Sequence, residues 1–213
     1  MAYPYSREET IADGTVHALA LGASIIAVVA LLMQTAPAAQ AGTTTAVILY
    51  AAMMLLSFGA SAAYHLLPWD RTRPLLHRID HAAIYLKIAG TYTPLVVLIG
   101  SAFGYVVLAL VWLVALAGAV AKLSIWATDA RGSLALYLAL GWASVLLIWP
   151  MWQALPGTAI ALICAGGALY TVGTVVFAAK AMRYQNAIWH AFVLGASACF
   201  YGAIAVGVTS LSA

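Results

Sequence analysis

Five histidines, six acidic residues and one isolated lysine hold most of the chemistry open to this chain. Ser61 and His65 are four residues apart, which on an α-helix stacks them on one face. Asp80 and Lys87 are seven apart and share a face as well, the ammonium about 10 Å further along the axis. Asn186 stands four residues before His190, again on its face. Imidazole, carboxylate and amide oxygen together suit a divalent metal, zinc most naturally. These residues span most of the chain, so only the fold can bring them together.

The elements that must position them are membrane helices. Of 213 residues, 65% are hydrophobic and 7% charged, whereas soluble domains carry roughly 25% charged residues. A net charge of +3, scattered along the chain, excludes a nucleic-acid-binding stripe. Cys164 and Cys199 both lie in apolar stretches and read as buried thiols, not as a secreted disulfide framework. Seven runs are long enough to cross a bilayer as helices, at about 15–35, 44–66, 80–99, 104–123, 133–150, 158–179 and 187–210. They predict one all-α, seven-span transmembrane domain over residues 1–213. Breaks are marked by Pro37 and Gly42, Pro68 and Pro74, Gly100 and Gly104, Asp129 to Gly132, Pro150 with Pro156-Gly157, and Arg183 to Asn186. Glu8, Glu9 and Asp13 give the first segment the wrong charge for a cleavable signal peptide.

Charge placement sets the orientation. Arg7, Arg71, Arg73, Arg78, Lys122, Arg131, Lys180 and Arg183 all fall on one side of this topology, and the opposite loops carry no basic residue. That side is expected to be cytoplasmic, with the N-terminus inside and the C-terminus outside a cell membrane. Tyr105, Trp112, Trp126, Trp149 and Trp152 fall near expected span ends, as interfacial aromatics do. The runs Gly59-Ala60-Ser61-Ala62-Ala63 and Gly195-Ala196-Ser197-Ala198 suit close helix packing. Antiparallel spans place the end of span two and the starts of three and seven in the same leaflet. His65, Asp80 and His190 therefore share a depth, with His17 early in span one at the same level and His77 just before span three.

Ser61-Ala-Ala-Tyr-His65, His77-Arg-Ile-Asp80-His81-Ala-Ala-Ile-Tyr, Ala89-Gly90-Thr91-Tyr92-Thr93-Pro94 and Ile188-Trp189-His190-Ala-Phe-Val-Leu-Gly resemble the motifs of the hemolysin III family. Glu8-Glu9 followed by His17 fits as well, so the resemblance runs from about residue 7 to the end. That family is similar in turn to the progestin and adipoQ receptors and, more distantly, to the alkaline ceramidases. The resemblance implies a seven-helix bundle with a zinc site near the cytoplasmic face. It implies His65 as a zinc ligand, Ser61 as its support, and Asp80 as the aspartate that holds the zinc's water. His190 matches the second histidine of a His-x-x-x-His pair whose first position is Asn186 here. An amide oxygen is a weaker zinc ligand than imidazole. The candidates to complete the set are Asp80 binding directly, then His17, then the His77/His81 pair.

Three functions follow. One is a zinc-dependent hydrolase of lipid amides or esters, with Asp80 as general base and Ser61 orienting the reactants. Another is a receptor-like regulator of membrane-lipid homeostasis, with the metal stapling helices two, three and seven. The third, a pore-forming cytolysin, is suggested only by the family name and has no amphipathic pore-forming helix behind it. The expected partners are membrane lipids, with no nucleic acid. Lys87 reads either as a snorkelling or Asp80-paired cation or as an anchor for an acidic headgroup or fatty-acid carboxylate. Reporter fusions should place the loops near Arg73, Arg131 and Arg183 in the cytoplasm and the C-terminus outside; a cytoplasmic C-terminal reporter would remove the shared-depth reading.

Overall fold

The first helix begins where two residues cap each other. The Ser6 N–H donates to Glu9 Oε2 at 2.9 Å and the Glu9 N–H to Ser6 Oγ at 3.2 Å. This reciprocal box satisfies N–H groups that a helix start leaves without carbonyl partners. In this computed structural model, which describes residues 6–35, 41–69, 71–124 and 131–210 (the Arg131 side chain excepted), α1 then runs Arg7–Thr35. It is followed by α2 (Ala41–Leu66), α3 (Arg73–Ile99) and α4 (Ala102–Ser124). The fifth span joins α5 (Arg131–Trp142), a 3-10 segment (Ala143–Leu147) and α6 (Ile148–Ala154). Helices α7 (Gly157–Ala178) and α8 (Gln185–Ser210) complete the set. Seven spans are long and apolar enough to cross a membrane, and no strand occurs among the described residues.

Hydropathy finds the part of a helix that must lie in hydrocarbon, and capping decides where the helix begins. Helix α1 therefore starts about two turns before its apolar run. Helix α3 starts at Arg73 with Pro74 in its first turn, where a missing N–H costs nothing, so His77 lies inside the helix, not before it. Pro150, expected to end the fifth span, sits in the first turn of α6 for the same reason, and the chain turns at Leu155–Pro156 instead. Lys122, at the end of the expected fourth span, occupies the last turn of α4 and is fully buried. Trp112 lies mid-helix, its Nε1–H donating to Thr93 Oγ1 at 3.1 Å. Cys164 faces outward and Cys199 is half-buried, both as free thiols. Trp126, Pro37 and Asp129 lie outside the described residues.

Helix α3 is the most enclosed span, touching α2, α4, α5, α6 and α8. Helix α1 packs against both α2 and α8, so the first and last spans are neighbours. Arg78 ties two helix ends together by donating from Nη1 to the carbonyls of Leu123 and Ser124 at the end of α4, at 3.3 and 3.1 Å. The tightest approaches use glycines other than those in the Ala/Gly/Ser runs. A Cβ on Gly59 would meet nothing within 4 Å, whereas one on Gly118 would lie 2.7 Å from the Tyr85 ring. Tyr85 is fully buried on α3 and has nowhere to move, so α4 approaches α3 through the missing side chain. Gly118→Ala should destabilise the bundle by about 1–3 kcal/mol. Gly167→Ala, with nothing within 4 Å of its Cβ position, should leave the melting temperature in the same detergent unchanged or slightly raised.

Candidate metal centre

One helical turn separates Asp13 from His17 on α1, and both are buried. The His17 Nδ1 lies 2.8 Å from the Asp13 carbonyl oxygen. A carbonyl can only accept, so Nδ1 carries the proton and Nε2 presents its lone pair inward. Helix α1 is held in register with the start of α8 by its acidic first turn. The Tyr184 N–H donates to Glu9 Oε1 at 3.0 Å, and Arg183 Nη2 bonds Glu8 Oε2 at 2.6 Å. Tyr184 adopts a left-handed φ of 58° to present that N–H. Exposed pairs such as Arg183–Glu8 stabilise by at most about 1 kcal/mol, so their value is in register.

Helix α2 brings His65 and Ser61 to this point, and α8 brings His190. His65 Nδ1 is 3.0 Å from Asp13 Oδ2, and His190 Nδ1 is 2.7 Å from Asp13 Oδ1. Each carboxylate oxygen thus accepts from one imidazole, and both rings are set in the Nδ1–H tautomer when neutral. The ring centroids lie 5.1 Å apart for His17 and His65, 4.3 Å for His17 and His190, and 4.6 Å for His65 and His190. Asp13, His17, His65 and His190 each offer a ligand atom within 4.8 Å of the others. Asp13 keeps only 7% of its side chain accessible and His190 keeps 12%. Deleting one partner from such a buried charged group costs about 3–5 kcal/mol.

The Ser61 hydroxyl sits among acceptors. Its Oγ lies 3.2 Å from His17 Nε2 and 3.5 Å from His190 Nε2, and the Asp80 carboxyl is within electrostatic reach of it. One hydroxyl proton cannot serve two imidazole lone pairs. The pocket is therefore rich in electron pairs and short of protons, the condition that a cation relieves. Three imidazoles and a carboxylate on separate turns are a zinc-type donor set. His17 already has the backing that metal-bound histidines carry, an Nδ1–H held by a backbone carbonyl.

The sequence-expected residues divide. His65 and His190 meet, and His17 joins them because α1 lies beside α8. Asp80 stands outside the four-residue group, its carboxyl within electrostatic reach of Ser61. Asn186 lines a small pocket with Glu9, Thr10, Asp13 and Tyr184, beside the carboxylate. His77 turns away, stacking on Tyr64 at 4.5 Å and meeting His81 edge-on at 4.6 Å. Lys87 makes no ion pair with Asp80; its Nζ sits 4.0 Å over the Phe58 ring. Asp13 is the residue that sequence reasoning passed over, having been weighed only as a charge near the N-terminus. Its i, i+4 spacing to His17 was the available signal, the same relation that singled out Ser61 and His65.

A family model described as Haemolysin-III related matches residues 5–201. The chain is 34% identical over 200 residues to the Hemolysin-3 homolog of Bacillus subtilis (strain 168), covering 92% of this chain and 93% of that protein. It is 33% identical over 195 residues to Hemolysin-3 of Bacillus cereus, covering 91% and 89% respectively. With the seven-span bundle and its buried aspartate–histidine cluster, these matches over most of its length show that the chain belongs to the hemolysin III family of integral, multi-pass membrane proteins.

Proposed function

We propose that this protein is a zinc-dependent hydrolase of lipid amides or esters that serves membrane-lipid homeostasis. The observation that carries the reading is the convergence of His17 and His190 lone pairs on one Ser61 hydroxyl. His17, His65 and His190 would hold the metal through Nε2, with Asp13 orienting His65 and His190 through their Nδ1–H groups. Zinc in such a site would supply Lewis acidity toward a carbonyl group and acidify water. Asp80, beside Ser61 and outside the ligand group, is placed to accept a proton. Ser61 orients the reacting groups between Asp80 and the histidines. A second reading, a regulator in which the metal staples α1, α2 and α8, is favoured by the narrowness of the pocket beside Asp13. That pocket holds about 10 Å³, room for a single water.

Metal analysis of the purified protein should find about one zinc per chain, lost in His65→Ala and His190→Ala. Asp80→Asn should keep the metal and lower turnover of a fluorogenic N-acyl amide or fatty-acid ester by about 100-fold or more. Zinc binding without turnover of either probe, together with a lower melting temperature on chelation, would replace the hydrolase by the regulator. Absence of any metal would end both readings.

The assignment of Asp13 has its own test. Asp13→Asn should weaken zinc retention by roughly 10–100-fold. Adding Asn186→His should restore it, because position 186 lines the same pocket as Asp13, one turn before His190. Asn186→His alone should change zinc content little, the donor set being complete. A large gain in zinc for that single variant would show that the three histidines and Asp13 do not make a complete site.

A further inference from the structure

We propose that Lys87 is the seat for the carboxylate of a single-chain lipid anion, in a seam between α2, α3, α7 and α8 that is separate from the metal centre. Lys87 is buried at 7% exposure, and its Nζ has no hydrogen-bond partner among the described residues. Aromatic faces flank it, the Phe58 centroid at 4.0 Å and the Tyr170 centroid at 5.8 Å. These rings steady a cation but offer no acceptor to its N–H groups. An unpaired ammonium inside a membrane bundle is costly and marks a binding pathway more often than a packing accident.

The seam is short of acceptors elsewhere too. The Tyr170 hydroxyl is engaged with Ser197 Oγ at 3.2 Å, and Ser197 in turn donates to the Val193 carbonyl at 2.6 Å. Tyr50 is buried at 2% exposure, within electrostatic reach of Tyr170 and Tyr201. Its hydroxyl has no hydrogen-bond partner among the described residues. Two orphaned donors within reach of one tyrosine call for an anionic acceptor.

Depth selects the kind of anion. Lys87 lies two helical turns, about 10 Å, beyond Asp80 along α3, well inside the hydrocarbon. A phosphodiester carries bulky substituents on both sides and belongs at the interface. A carboxylate ends a single chain and can be drawn between helices. The site needs neither metal nor hydrolysis, so its failure and that of the hydrolase reading are distinguishable.

The test is equilibrium binding of radiolabelled oleate to the protein in lipid nanodiscs, with radiolabelled oleyl alcohol as the uncharged chain and sodium bromide as a competing inorganic anion. Wild type should bind one oleate saturably and oleyl alcohol roughly tenfold or more weakly. Lys87→Met should lose oleate affinity by a similar factor, keep its zinc and melt no lower, since it removes an unpaired buried charge. Lys87→Arg should retain oleate. Equal binding of oleate and oleyl alcohol by wild type would overturn the proposal whether or not any variant folds. So would undiminished oleate binding by Lys87→Met, or full displacement of oleate by bromide, which would make the site one for halide.

Discussion

A carboxylate buried within a membrane span is tolerated only where its charge is met by donors on both oxygens. Asp13 meets that demand with one imidazole N–H from α2 and one from α8. Much of the surrounding architecture serves this arrangement. The Ser6–Glu9 box starts α1 early enough to place Asp13 near the cluster. Glu8 and Glu9 hold the same turn against Arg183 and Tyr184 at the head of α8. With each Nδ1 committed to Asp13, as a proton donor to its carboxylate or its carbonyl, the opposite ring nitrogens of His17 and His190 have only lone pairs to offer.

The donors come from the first, second and last spans, so a metal bound among them would fasten the bundle where its two ends meet. Binding energy in such a site is also folding energy, because the unfolded chain has no preformed cluster. Helix α3 stands one layer behind. It carries Asp80 close to Ser61, and its tight packing against Gly118 of α4 and of Gly90 against Met53 of α2 holds that position. The same helix carries Lys87 two turns beyond Asp80, its Nζ without a hydrogen-bond partner among the described residues.

The spans were legible because the bilayer imposes a length and a polarity that any chain must honour, and antiparallel alternation then put His65 and His190 at one depth. Helix rotation was less legible. Nothing in hydropathy shows which face of α1 turns inward, since Asp13 and His17 precede most of its apolar run. Asp80 was ranked first among the candidates to complete the donor set, and the shared-depth reading cannot separate a member of the cluster from a group just outside it. Pro150 misled for a local reason: a proline reads as a stop, yet the first turn of a helix accepts it.

X-ray absorption at the zinc edge of the purified protein tests the central claim most directly, because it reports the atoms around the metal without requiring a substrate. A four-coordinate centre with three imidazole nitrogens at about 2.0–2.1 Å and one oxygen is expected. A shell containing sulfur, a six-oxygen shell, or a spectrum with fewer than two imidazoles would contradict it.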